Sequence, residues 1–399
     1  PGVVEVTLPI DRPLYATQPD AMNGHVNTGI YKGTDGRDYR LLNDASFYAY
    51  AVNAVNEKYS IDFSEYDKNG DGYIDENELC VETIMAGYEA SSMGDPEGAP
   101  AMWMKRWNIY CGDNGDGTLD YGDFDMVVLD GVGLSPFITC GEVLYLDPEQ
   151  FGGQKGDILY NQIGGFAHEL GHILGANDLY DVTYALANRM NAGYMSIMSG
   201  GSWGYNEESP IPGEAPTSLD PLNKFMMGFC EPTEVTTGGA FKLYPSSSRD
   251  YNFLEIDTND PDISYLIENR QFTSFDKSLH DMYESYKNGG ISVWRLNNKV
   301  AKREWNDNRV NSVAEDYGFI PVFADGVVSR RPFWNTEALD AGNFDNTALP
   351  SVGYPSAETH YNMVLQESDP LIALCVDKNT DSDGSVTFQV IMSDATEKP

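Results

Sequence analysis

Apolar and polar residues follow two different rhythms along this chain, and the change of rhythm marks its organisation. DASFYAYAVNAVNEKY, from Asp44 to Tyr59, repeats apolar residues at helical spacing and predicts a helix. LCVETIMAGY from Leu79 alternates and carries branched side chains, which predicts a strand. MWMKRWNIY from Met102 and DMVVLDGV from Asp125 predict further strands, joined by the turn-rich GDNGDGTLDYGD. A second helix is expected from Gln162 to Leu174 and a short one from Leu219 to Met227, with a Gly-, Asn- and Ser-rich loop region between them at 175–215. Residues 1–40 read as loops and short strands.

From Thr236 onward the helical rhythm gives way to short strand-like runs: FKLYP, NFLEI, YLIENRQF, GISVWRL, LIALCV and VTFQVIM. DKNTDSDG between the last two predicts a hairpin turn. The expected division is therefore 1–235, with mixed helices and strands, and 236–399, a β-rich C-terminal region that belongs either to the same unit or to a second one.

Charge narrows the partners. The 62 acidic residues against 25 basic ones leave a net charge of −37, which argues against nucleic acid and anionic membranes. Such a field suits calcium binding or solubility in salty surroundings, and an enzyme carrying it would disfavour strongly acidic substrates. Most of the charges read as a solvated acidic surface. No apolar run reaches the length that spans a bilayer. The chain begins at Pro1 without a basic-then-apolar leader, so the expectation is a mature or trimmed piece of a longer precursor. The five cysteines, Cys80, Cys111, Cys140, Cys230 and Cys375, form no C-x-x-C pair, which argues against a cysteine zinc site. One disulfide and buried thiols both fit that count.

The chemistry concentrates in FAHELGHILGANDLYD, where His168, Glu169 and His172 form H-E-x-x-H. Residues four apart share one helix face, so both imidazoles can reach one zinc ion. The competing reading makes them core histidines. Against it, Ile163, Phe166, Ala167, Leu170, Ile173 and Leu174 form an apolar stripe expected to be the buried face, with His168 and His172 opposite. Gly175 can end the helix in a left-handed turn that swings the chain back, bringing Asp178 to the place of a third ligand; Asp181 is its rival. A carboxylate ligand is acceptable to zinc. Three protein ligands leave an open position for a water, and Glu169 is placed to take its proton and pass it to a leaving amine. Downstream, GYMSIMSGGSWG carries Met195 and Met198. Met198 is the better candidate for an apolar floor beneath the metal, and taken alone either methionine fits ordinary core packing better.

A second metal is expected at a twelve-residue calcium loop. Asp67, Asn69, Asp71 and Asp75 supply oxygens at its first, third, fifth and ninth positions. Gly72 supplies the sharp turn, the Tyr73 carbonyl points inward, and Glu78 can bind through both oxygens. An acidic solvent-exposed turn is the alternative. The later GDNGDGTLDYGD lacks the opening acidic ligand and reads as a turn.

These segments resemble the immune inhibitor A-type secreted bacterial peptidases, which are grouped with the metzincins. HELGHILGANDLYD is similar to that family's zinc signature, Asp third ligand included, and SIMSGGSWG to its methionine turn. PTSLDPLNKFMMGF, YLIENRQFTSFD, GGISVWRL, YDKNGDGYID and MWMKRW are similar to flanking segments, so the likeness runs from about 60 to 296. Arg295 stands where a histidine is expected, and the chain ends match little. The resemblance implies an α/β (α+β) metzincin-like catalytic domain with a twisted mixed sheet and a zinc helix. It implies extracellular protein degradation, catalytic Zn2+ and structural Ca2+. The expected partners are protein or peptide substrates, with the chain a monomer, no nucleic acid and no membrane span. Two other readings compete: a calcium-braced binding or adhesion module derived from an inactive peptidase, and a gluzincin-type site using Glu207 or Glu208.

Overall fold

The computed structural model of the chain describes residues 2–9, 29–41, 44–92, 101–108, 127–183, 185–186, 192–283, 289–313, 316–322, 333–334, 360–366 and 370–393. The turn-rich segment at 112–123 lies wholly outside them, as does half of residues 1–40, namely 1 and 10–28. The protein is mixed α/β, with several sheets and few helices among the described residues. It divides into two compact units, 1–161 with 172–174, and 162–171 with 175–399. The three residues 172–174 remain part of the continuous helix Ile163–Ile173 and the turn after it.

The first unit is built around the helix Asp44–Tyr59, whose bounds are those the apolar spacing predicts. Its Tyr48 and Val52 pack with Phe63, Ile74, Leu134 and Phe137, while Phe47 joins Tyr39, Ala101 and Met102. The helix thus serves two apolar clusters at once. The rings of Tyr48 and Phe137 stack at 4.6 Å. Val81–Glu89 pairs in parallel with Ala101–Met102 and Phe137–Leu144, and Lys105–Trp107 adds an antiparallel edge. At the end of Val81–Glu89 the fully buried Glu89 carboxylate accepts hydrogen bonds from the amides of Ser91, Met104 and Gly141. Burial pushes this carboxyl up to about 7 against the pull of those donors.

The second unit carries two mainly antiparallel sheets. In one, Leu254–Asp257, Ile263–Arg270, Gly290–Asn297 and Phe319–Pro321 follow one another. Thr233–Glu234 adds a parallel edge, and Phe333–Trp334 also pairs with Gly290–Asn297. In the other, the order is Gly239–Leu243, Val386–Ser393, Leu371–Thr380 and His360–Gln366. All six runs named for this region form strands. The acidic turn is shorter than its sequence suggests, because pairing continues to Thr380.

Ala176, Leu179, Met195 and Met198 belong to the same apolar cluster as Phe253, Ile267, Trp294 and Phe388. The loops after the helix Ile163–Ile173 are therefore anchored in the core of the sheets, although they have no regular structure of their own. That anchoring lets irregular backbone hold a fixed geometry.

Candidate metal centre

The helix Ile163–Ile173 ends as the sequence predicts. Gly175 adopts φ +96°, a conformation that costs glycine little, and the Ala176 amide donates to the Gly171 carbonyl at 2.9 Å. The reversed chain carries Asp178 back to the helix, and its Oδ1 lies 3.1 Å from His168 Nε2. His168, His172 and Asp178 each offer a ligand atom, and these atoms all lie within 4.8 Å of one another. Two imidazoles and a carboxylate are a donor set that suits zinc.

The face these residues occupy corrects the helical-wheel expectation. Ile163, Leu170 and Leu174 are 59%, 45% and 50% exposed, whereas His168 and Glu169 are 7% exposed and Asp178 4%. Phe166 and Ala167 are half-buried, and only Ile173 of the six is buried. The reason is close approach of backbone. A Cβ on Gly164 would run into the Ser202 carbonyl oxygen and one on Gly171 would sit 2.7 Å from Met198 Sδ, so the helix is closely packed at its glycines. His168 sits on the inward side and has polar partners there, which is what makes its burial tolerable, while His172 is half-buried.

His168 is oriented from both ends. Its Nδ1 lies 2.8 Å from the Ile197 carbonyl, which as an acceptor fixes a proton on Nδ1 and leaves Nε2 as the nitrogen that faces Asp178. Burial opposes the charged ring, but the Asp178 carboxylate, Glu169 and the Ile197 carbonyl outweigh it and push His168 up to about 9.

Met198 is fully buried, its sulfur lies against the helix at Gly171, and its carbonyl accepts the Leu179 amide at 2.7 Å. One residue thus supports both the helix and the returning loop. Its turn is held in place by Ser196, which donates to the Asp220 carboxylate at 2.7 Å, and by Arg270, whose Nη1 donates to the Met195 carbonyl at 2.8 Å. Asn223, just inside the helix Pro221–Met226, accepts the Asn177 amide and donates to the Asn177 carbonyl at 2.8 and 3.1 Å.

The two alternatives for the third carboxylate lie elsewhere. Asp181 is spent on the loop itself, accepting from the Thr183 amide and hydroxyl and from the Leu186 amide at 2.9, 2.6 and 2.7 Å. Glu208 makes an exposed ion pair with Lys277, and neither it nor Glu207 belongs to the metal-capable group.

The acidic loop at 67–78 closes on itself. Asp67 accepts from the Gly70 and Gly72 amides, and Glu78 from those of Lys68 and Asn69. Asn69, Asp71 and Asp75 each accept an amide two residues on, and Gly72 has φ +89°. Tyr73–Ile74 pairs in parallel with Val132–Leu134. Among the described residues, the carboxylates of this loop form no second group as tight as the one at His168.

A buried His168 and a half-buried His172 one helical turn apart, with Asp178 beside them and Glu169 between them, form a group that could hold a metal ion, in the arrangement of H-E-x-x-H metallopeptidases. Residues 158–228, which contain all four, match the family model described as immune inhibitor A peptidase M6, catalytic domain. The chain is also 31% identical over 218 residues to immune inhibitor A of Bacillus thuringiensis subsp. alesti. That alignment takes in 51% of this chain and 26% of the relative, so it spans about a quarter of that protein. The likeness to immune inhibitor A-type metallopeptidases read from the sequence is borne out.

Sequence reading missed the partners of the site: Ile197, Asn223, Arg270 and Asn308. Their contacts join positions 29 to 130 residues apart, and no local spacing announces them.

Proposed function

We propose that this chain is a secreted, metzincin-like zinc endopeptidase, acting as a monomer on protein or peptide substrates. The observation that carries this reading is the convergence of His168, His172 and Asp178 within 4.8 Å, with Glu169 buried beside them. Those three side chains would hold the metal. Zinc, when bound, supplies a Lewis acid that acidifies a water and polarises the scissile carbonyl.

The remaining chemistry belongs to the chain. Glu169 takes the proton of the attacking water and delivers it to the departing amine. The Ile197 carbonyl keeps His168 in the tautomer that can ligate, and Met198 supports the helix and the loop from beneath. Substrate lies extended along a strand edge, where main-chain pairing tolerates many sequences. The net charge of −37 turns strongly acidic peptides away. Residues 236–399 serve the same peptidase unit, because Asn308, Asn311 and Ser312 bond to the loop that carries Asp178. The loop Asp67–Glu78 takes calcium as a structural brace, supported by its donor spacing and by Gly72.

A chelator should abolish casein hydrolysis and added zinc restore it. Glu169→Gln should lower turnover by about 10²- to 10⁴-fold while the zinc content stays the same. Near-normal turnover in that variant would remove Glu169 from the role of base.

A further inference from the structure

The segment 308–312 lies alongside 178–182, and three of its side chains bond to it. Asn311 Nδ2 donates to the Leu179 carbonyl at 3.4 Å, and Ser312 Oγ accepts the Val182 amide at 2.9 Å. The contact at Asn308 differs in kind because it is doubled and reaches a functional group. Asn308 Oδ1 accepts the Asp178 amide at 2.7 Å, and Asn308 Nδ2 donates to Asp178 Oδ2 at 2.7 Å. The other carboxylate oxygen, Oδ1, is the one 3.1 Å from His168 Nε2.

We infer that Asn308 is a positioning residue for the metal: it clamps Asp178 at both main chain and side chain, so that Oδ1 alone is presented to the ion. The inference rests on reading His168, His172 and Asp178 as a zinc site.

An amide suits this task better than the other short polar side chains. It offers one acceptor and one donor on separate atoms, whereas a hydroxyl carries both on one oxygen and an ionised carboxylate has no donor. Asn308 also stands at φ +53°, a left-handed conformation that asparagine tolerates better than most residues. Its position is secured by the 3-10 turn Trp305–Asp307, where its amide donates to the Trp305 carbonyl at 3.1 Å. The adjoining loop is pinned by Asn311, which accepts the Phe319 amide and donates to the Phe319 carbonyl at 2.9 and 2.6 Å. A rigid clamp removes from the carboxylate the freedom it would otherwise lose on binding metal, and it disfavours the two-oxygen mode.

The test is zinc affinity in the whole chain, read by competition with a chromogenic chelator and by the zinc release rate. Asn308→Gly keeps the left-handed backbone and deletes both bonds. Asn308→Asp keeps the acceptor and replaces the donor with an oxygen facing Asp178 Oδ2. Both should bind zinc roughly 10- to 100-fold more weakly and release it faster. Ser312→Ala, which removes bonds to Val182 and Asp181 and leaves the Asp178 clamp intact, should retain parental affinity. Affinities of both Asn308 variants within about twofold of the parent would overturn the inference and leave the zinc site standing. Equal losses in Ser312→Ala and the Asn308 variants would also overturn it, since loop support in general would then explain the effect. A parent protein that takes up no zinc would overturn the metal reading itself, and the inference with it.

Discussion

Arg270 and Asp276 meet through two parallel hydrogen bonds in a place water does not reach: Nε to Oδ2 at 2.7 Å and Nη2 to Oδ1 at 2.6 Å. The third nitrogen of the same guanidinium bonds to the Met195 carbonyl, three residues before Met198. Glu268 accepts from it as well, at 3.1 Å, and Asp276 further accepts the Ser218 amide. This buried ion pair connects the sheet of the second unit to the turn beneath the metal-capable residues.

Breaking that pair should be costly. Asp276→Asn leaves a buried guanidinium with half its countercharge, so the expected loss is about 3–5 kcal/mol, measured by urea unfolding. A loss below about 1 kcal/mol would mean that the pair adds little beyond packing.

The same pair sets an acid limit on the fold. Burial alone would raise the Asp276 carboxyl, but Arg270, Ser246 and Ser218 outweigh it and hold it below the usual range. A carboxyl depressed in the folded state contributes stability above its unfolded value, and that contribution disappears as pH falls through the folded value. Urea midpoints taken from about pH 6 down to about pH 2 should therefore fall, and the fall should be shallower in Asp276→Asn. Parallel curves for the two proteins would assign the acid sensitivity to other groups.

Gly171 predicts a steric test. A methyl group there meets Met198 Sδ at 2.7 Å, so Gly171→Ala should destabilise the protein by about 1–3 kcal/mol through overpacking. Met198→Ala should cost about 2–5 kcal/mol by leaving a cavity. Because the two residues touch, the double variant should be more stable than the sum of the single losses implies. Simple additivity in thermal or urea unfolding would show that the helix moves away and the contact is soft.

The acidic loop offers a calcium test. Its carboxylates accept main-chain amides, so part of the loop's shape is set by the chain itself. Calcium at saturating concentration should nevertheless raise the melting temperature of the parent, and Asp71→Ala should abolish that rise. Identical calcium responses in the two proteins would make the loop a simple acidic turn.

Much of this architecture is readable in the amino-acid order, for identifiable reasons. Helix Asp44–Tyr59, the six C-terminal strand runs and the H-E-x-x-H pair all depend on local spacing, and local spacing survives folding. The inward face of the site helix was not readable, because apolar periodicity assumes that packing is made by side chains. Here glycine makes it: Gly171 lets Met198 touch the helix backbone, and Ile163, Leu170 and Leu174 are left outward. Asn308 and Arg270 were unreadable for a different reason, since each acts across a long chain separation that topology alone brings together. The choice of Asp178 over Asp181 likewise depends on which carboxylate the loop consumes internally.

The bonds from 308–312 also bear on where the chain can be cut. A fragment ending at residue 228, where the family match ends, retains His168, Glu169, His172 and Asp178. It would nonetheless lose Asn308, and with it both hydrogen bonds that this residue makes to Asp178. Such a piece would own the reactive groups without the means to hold them in register, so the smallest portable version of this centre extends beyond Phe319.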